Sequence, residues 1–231
     1  MGGLQTIINV SNGLQIDRRK VVGVQVSRNE EPRITQTPTL NPWKFTVEVP
    51  VVFKYSDARA LLESLDYSDR IYPEIITFSD NHKLNWMFAY QGQMNQSQIN
   101  GITVQSFVGN QLTLTNLPSI ASTKVLFKPN DLIQIGAAGV NPYPFTSVGT
   151  VLRGTGTTVV VTTNRPNIIT ASVVGNGIIV GNACQFNMFC TNMPTYKLTV
   201  GGYKKIGNIV YNNALIQFSD SFKLYEMVSL A

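Results

Sequence analysis

The stretch WKFTVEVPVVFKYSDARALLESLD, residues 43–66, decides the fold. In its first half Trp43, Phe45 and Val47 fall on one side of an extended chain and Lys44, Thr46 and Glu48 on the other. That period of two marks a strand with one buried face. Pro50 cannot donate to a ladder and places an edge or a bulge at the strand's end. In the second half the period lengthens to that of a helix. Ala58, Leu61, Leu62 and Leu65 recur at i, i+3, i+4 and i+7, Ser56 stands at the N-cap, and Asp57 adds negative charge to the first turn. The pattern predicts a helix from Ser56 to near Asp66. About three turns are too few to be stable alone, so the leucine stripe requires a sheet to lie on. No other stretch carries a comparable helical period, and the fold class expected is mainly β, of the α+β kind, with one flanking helix.

Upstream, KVVGVQV at 20–26 alternates weakly, and Pro32, Pro38 and Pro42 exclude a long regular element over 31–42. Downstream, IYPEIITFSD and KLNWMFAYQG are two strand candidates joined by Ser79, Asp80, Asn81 and His82. From about Gly101 the texture changes. ITVQSFVGNQLTLTNL reads as a hairpin turning at Gly109-Asn110, and FKPNDLIQIG as a strand entered through Pro129-Asn130-Asp131. YPFTSVGTVL and TTVVVTTNRP are two further strands joined by Arg153, Gly154, Thr155 and Gly156. Short strands with polar turns at this spacing predict a small all-β barrel or sandwich. The closing PTYKLTVGG and NNALIQFSDSFKLYEMV return to the aromatic, alternating style of residues 43–90 and predict a last strand over Leu215–Met227. The expected organisation is a discontinuous parent domain, residues 1–100 and 183–231, with a small β module of residues 101–182 inserted at a loop tip, where insertion is tolerated because the ends stay close.

Of 231 residues only 13% are charged and 43% are hydrophobic, with 18 Lys+Arg against 13 Asp+Glu and a formal net charge of +5. Globular domains carry about 25% charged residues, so the polar part here is amide and hydroxyl: 21 Asn, 13 Gln and 21 Thr. A coiled coil, a charged disordered tail and a collagen-like fibre are excluded. The charge is unevenly drawn. Residues 1–83 balance ten basic against ten acidic side chains, whereas 84–196 hold only Lys124, Lys128, Arg153, Arg165 and Asp131. A half so poor in charge either meets water through amides and hydroxyls or meets neighbouring subunits. MGGLQTIINV lacks a basic n-region and a continuous apolar run, and no 18 apolar residues run together, so neither a secretion signal nor a membrane span is expected. Gly2 matches a myristoylation pattern only loosely, and the sequons at Asn9 and Asn95 carry little meaning without a secretion signal.

Chemistry-bearing patterns are sparse. Cys184 and Cys190 sit six apart; on one strand that parity puts them on the same face roughly 20 Å apart, too far for a disulfide, so two buried thiols are expected. His82 has no nucleophile motif beside it and reads as a loop residue. RGTGTT at 153–158 joins strands of one texture instead of opening a helix and reads as a hairpin turn, not a phosphate loop. Asp57, Glu63, Asp66, Asp69, Glu74 and Asp80 alternate with Arg59 and Arg70 and read as a solvated helix face, with inter-subunit salt bridges as the more interesting alternative. Arg18, Arg19 and Lys20, with Lys204 and Lys205, are too few to neutralise a stripe of phosphates. No catalytic residue, metal ligand or cofactor is expected, and the chain reads as a non-enzyme.

TPTLNPWKFTVEVP, YSDARALLESLDYSDR and the terminal PTYKLTVGG with ALIQFSDSFKLYEMV together resemble structural proteins at the tail tip of tailed bacteriophages. They look in particular like the baseplate-hub or tail-tube-terminating proteins of contractile tails. FKPNDLIQIG, YPFTSVGTVLRGTGTTVVVTTNRP and NMPTYKL look like segments of the same class, and the likeness extends over most of the chain. The resemblance implies a tail-tube-like sheet domain repeated around a ring, expected to be hexameric, at the junction of tail tube and baseplate. Its partners would be copies of itself, neighbouring tube and baseplate proteins and, at most, DNA passing without specific contact, with no membrane insertion. The place of action would be the virion, after assembly in the host cytoplasm. Ring closure would be heterologous. The alternative is a carbohydrate- or receptor-binding tail accessory, for which Trp86, Tyr90 and Tyr143 would have to emerge on one exposed face. A small hydrolase would need a cleft holding His82 and a carboxylate.

Overall fold

Both periodic segments of 43–66 form the elements their patterns predict. The computed structural model describes residues 2–17, 22–26, 32–36, 42–50, 52–68 and 72–228. The fold is mixed α+β, with several small antiparallel sheets and few short helices. In chain order the elements are α1 (Gly3–Val10), β1 (Gly13–Asp17), β2 (Val22–Val26), β3 (Pro32–Gln36), β4 (Lys44–Glu48), β5 (Phe53–Lys54), α2 (Tyr55–Ser68), β6 (Glu74–Thr77) and α3 (Gln96–Asn100). Then follow β7 (Thr103–Val108), β8 (Gln111–Thr115), β9 (Leu132–Ile135), β10 (Phe145–Thr146), β11 (Val159–Thr162), β12 (Ile178–Val180), β13 (Gln185–Asn192), β14 (Tyr196–Ile206), β15 (Ile209–Phe218) and β16 (Phe222–Glu226). The chain divides into two compact units: one of residues 1–16, 44–90 and 180–227, the other of 17–43, 91–179 and 228–231.

The first unit is built on a five-stranded sheet in the order β1-β4-β16-β13-β6. The terminal strand β16 lies at its centre, with Leu224 opposite Phe45 on one side and opposite Cys190 on the other. Phe45, Val47, Ile76, Phe186, Met188, Cys190, Phe222 and Leu224 all point inward and are at most 1% exposed. Phe45, Phe78 and Phe186 meet edge to face at 5.2–5.8 Å, and Phe88 joins them 4.9 Å from Phe78. Each fully buried ring contributes about 1.5–3 kcal/mol by leaving water. Helix α2 buries Ala58 and Leu65 and packs on α1, β5 and β15. A second sheet, β14-β15-β5, is dominated by the long hairpin β14–β15, which carries a bulge between Val200 and Tyr203.

Helix α1 departs from the single helix that periodicity predicts. It lacks an acidic residue in its first turn and its N-cap Gly2 supplies no side chain. The cap is tertiary instead. Glu74, on β6, accepts hydrogen bonds from Leu4 N at 2.9 Å and Gln5 N at 3.0 Å, satisfying two of the orphan donors at the helix start. A Cβ at Gly2 would overlap that carboxylate, which is why the segment needs glycine there. At the other end the buried Asn81 amide donates to Ile8 O and Ser11 O while its oxygen accepts from Lys83 N and Leu84 N. Those last two bonds also wind 85–88 into a 3-10 turn where alternation predicts a strand. The short α3 is a further departure, held by an Asn95/Gln98 capping box.

The second unit holds two three-stranded sheets, β11-β8-β7 and β10-β9-β12, and the hairpin β2–β3. The Gly109-Asn110 turn joins β7 to β8 as predicted, with Val108 opposite Gln111. YPFTSVGTVL is not one strand. Regular pairing is confined to Phe145–Thr146, and Gly149 at φ +104° breaks the extended run. The predicted strand Leu215–Met227 is likewise two: Ser219-Asp220-Ser221 interrupt it, and its halves belong to different sheets as β15 and β16. At the unit's core the Pro144 carbonyl accepts from both Trp43 Nε1 at 3.2 Å and an Arg165 guanidinium N–H at 3.0 Å, and Arg165 lies over the Phe145 ring at 5.3 Å.

Candidate assembly surface

The five-stranded sheet has a second face, and the same alternation that buries Phe45, Leu224 and Phe186 turns their neighbours toward it. Lys44, Tyr225 and Phe189 stand side by side across three strands. The Lys44 ammonium sits 5.4 Å above the Tyr225 ring, whose centroid is 6.3 Å from that of Phe189. Beside this row Ile75 pairs with Asn187, and Asn187 O accepts from Met227 N at 2.8 Å. Ile75, Tyr225 and Met227 are 40%, 36% and 42% exposed. A sheet face carrying an aliphatic, a thioether and two aromatic side chains with Lys44 and Lys223 at its margin is a surface suited to protein contact.

The β6 edge of this sheet is treated differently from the β14 edge of the hairpin. At β6 the Gln5 side chain takes the place of a neighbouring strand: its oxygen accepts from Thr77 N at 2.8 Å and its amide donates to Thr77 O at 2.9 Å. This occupies the edge at Thr77. At the β14 edge no such plug is present among the described residues. Tyr196 and Leu198 are 45% and 51% exposed, and the strand runs eleven residues. An edge of that length offers backbone donors and acceptors to an incoming strand.

The residues singled out in the sequence are not brought together. His82 lies exposed in the turn after β6, and Trp86 stands out on the 3-10 turn at 69% exposure. Tyr90 and Tyr143 are half-buried, which leaves Trp86 as the exposed ring of the three that a carbohydrate site would use. Cys184 and Cys190 are both buried thiols. Thr155 and Thr158 bridge across a tight turn, with Thr155 N donating to Thr158 O at 3.0 Å, so RGTGTT is a turn and opens no helix. Asp57, Glu63, Asp66 and Asp80 are exposed as a solvated face requires, but Glu74 is the cap of α1. Asp69, Arg70 and the run Arg18-Arg19-Lys20 lie outside the described residues, as does most of the prolyl segment beyond Gln36.

Periodicity gives no signal for the buried carboxyl at Asp131. Asp131 Oδ1 accepts from Gln91 N at 2.9 Å and Oδ2 from Lys128 N at 2.7 Å, fixing the turn into β9. Burial raises its pKa above the ordinary 3.8, opposed by these two backbone bonds and by the Lys128 charge. Its role is to hold backbone. Among the described residues no three His, Cys, Asp or Glu side chains converge as metal ligands, and no helix is long and apolar enough to cross a membrane. No protein-family model matches the chain, and no curated protein matches it.

Proposed function

We propose that the protein is a non-enzymatic structural subunit of a bacteriophage tail, forming a homo-oligomeric ring at the junction of tail tube and baseplate. The observation that carries this reading is the open face of the five-stranded sheet. One side of the sheet is fully committed to its own core, while Ile75, Phe189, Tyr225 and Met227 on the other side form a half-apolar, partly exposed surface. The resemblance of TPTLNPWKFTVEVP, YSDARALLESLDYSDR, PTYKLTVGG and ALIQFSDSFKLYEMV to tail-tip proteins supplies the setting. In this reading the sheet and α2 are the tail-tube-like scaffold. Residues 101–182 are the inserted barrel or sandwich module, which supplies contacts to neighbouring tube or baseplate proteins, and DNA passes without specific recognition. Negative-stain electron microscopy of the purified protein, or of particles that contain it, tests this. Annular particles are expected, and persistent monomers without annular density in either sample overturn it.

A further inference from the structure

The first unit carries both an isolated knob and a hole. The knob is Trp86. Phe88, two residues on, is held 4.9 Å from Phe78 and 5.8 Å from Phe186, Leu84 is buried, and Met87 N donates to Leu84 O at 3.0 Å. The turn is therefore anchored on both sides of Trp86, which presents its indole to solvent, with the exposed Lys83 three residues before it in the chain. An indole fixed in this way loses little conformational freedom on binding.

The hole is a cleft of about 380 Å³ between α2 and the hairpin strands, where Leu62, Leu65, Met193 and Phe218 line it together with the polar Thr195 and the exposed Asp66. Asp66 lies in the last turn of α2, which holds no basic residue among the described residues. Helix end and carboxylate are both negative there, so a cation is favoured at this rim. Glu63, exposed one turn earlier, adds to the same field.

We propose that Trp86 of one copy enters the Leu62–Phe218 cleft of the next, with Lys83 meeting Asp66. Knob and hole are different patches of one unit, so unless two copies exchange them reciprocally the contact is heterologous: it propagates from copy to copy and closes a ring or extends a filament. The proposal deepens the ring reading and rests on it for closure, although not for the contact itself. Shape and charge favour this occupant. The cleft is large enough to admit an indole, its walls are mostly apolar, and among the described residues the charge lining it, that of Asp66, is opposite to that of Lys83.

The test is sedimentation velocity over a concentration series, with tryptophan emission read in parallel. Trp43 is buried and supplies a constant blue background, so a blue shift on concentrating the protein reports Trp86. Trp86→Ala is expected to weaken association about 30-fold, as loss of an aromatic hot spot does, without changing the circular dichroism spectrum. Lys83→Glu is expected to weaken it as well, and Lys83→Glu with Asp66→Lys to restore it, a rescue that a merely structural role cannot give. Unchanged association in Trp86→Ala, or no rescue by the charge swap, overturns the contact while leaving rings seen by microscopy intact. Association that depends on Trp86 but yields open chains overturns the ring and keeps the contact. Wild-type protein that stays monomeric at every concentration overturns both, and emission that shifts only on adding oligosaccharide assigns Trp86 to carbohydrate instead.

Discussion

Replacing Glu74 by Gln tests the tertiary cap of α1. The substitution keeps the size of the side chain but removes its charge and one of its two acceptors. Of the donors now held at 2.9 and 3.0 Å, Leu4 N and Gln5 N, one is left facing an amide N–H₂. Loss of a hydrogen bond to a charged group costs about 1.5–3 kcal/mol, and loss of negative charge at a helix start about 0.3–1 kcal/mol. Glu74 is half-buried, which places the sum toward the low end, about 2 kcal/mol. For a chain of this size each kcal/mol moves Tm by about 2–4 °C, so a fall of about 4–8 °C is expected if α1 unfolds with the unit. If α1 detaches alone, the same energy appears as about 30-fold faster hydrogen exchange at Leu4 and Gln5 with little change in Tm. Thermal denaturation and native-state exchange together separate the two cases. A variant unchanged in both measurements refutes the cap, because no third route absorbs the loss of one charge-assisted bond and of the charge behind the other.

Two further substitutions probe backbone devices elsewhere. Asp131→Asn removes one of two acceptors and orphans Gln91 N or Lys128 N, at a cost of about 1–3 kcal/mol in urea denaturation. Because burial raises the Asp131 pKa, the native state binds its proton more readily than the unfolded chain. Its contribution to stability is therefore present below the ordinary 3.8 and lost as pH rises through the raised native value. The wild-type advantage over Asp131→Asn should shrink with rising pH across that window, and an advantage that grows refutes the sign. Gly181→Ala should destabilise by roughly 2 kcal/mol or more by the same measurement, since φ is +68° and the new Cβ would lie 2.6 Å from Tyr90 N. A neutral result would mean the segment shifts without loss.

What local pattern governs was legible. The strand over 44–48, the helix over 55–68 and the hairpin at Gly109-Asn110 each follow from neighbours within a few residues, and the structure has them. What long-range bonds govern was not. The N-terminal helix has no cap of its own, and its cap comes from a residue seventy positions away, so MGGLQTIINV carries no start signal. The segment KLNWMFAYQG alternates well enough for a strand, but the Asn81 side chain takes the N–H groups of Lys83 and Leu84 and starts a turn instead. In the same way the apparent single strand of 215–227 is divided because three small or acidic polar residues, Ser219, Asp220 and Ser221, let the chain leave one sheet for another. The candidate surface was half legible: alternation assigns Phe45 and Lys44 to opposite faces, yet only strand order places Tyr225 between Lys44 and Phe189.

The sparse charge of residues 84–196 is sharpened by where the few charges lie. Of the five ionised side chains counted there, Asp131 and Arg165 are 3% and 2% exposed, each engaged with backbone groups of its own unit. Only Lys124, Lys128 and Arg153 are left to meet solvent, and no carboxylate accompanies them. The outward face of β8 and β11 is Gln111, Thr113, Thr115, Val160 and Thr162, so its contact with water rests on hydroxyls, an amide and an exposed valine. A surface of this kind has little field to steer a partner or repel a wrong one over distance. Recognition by it would depend on shape at close range.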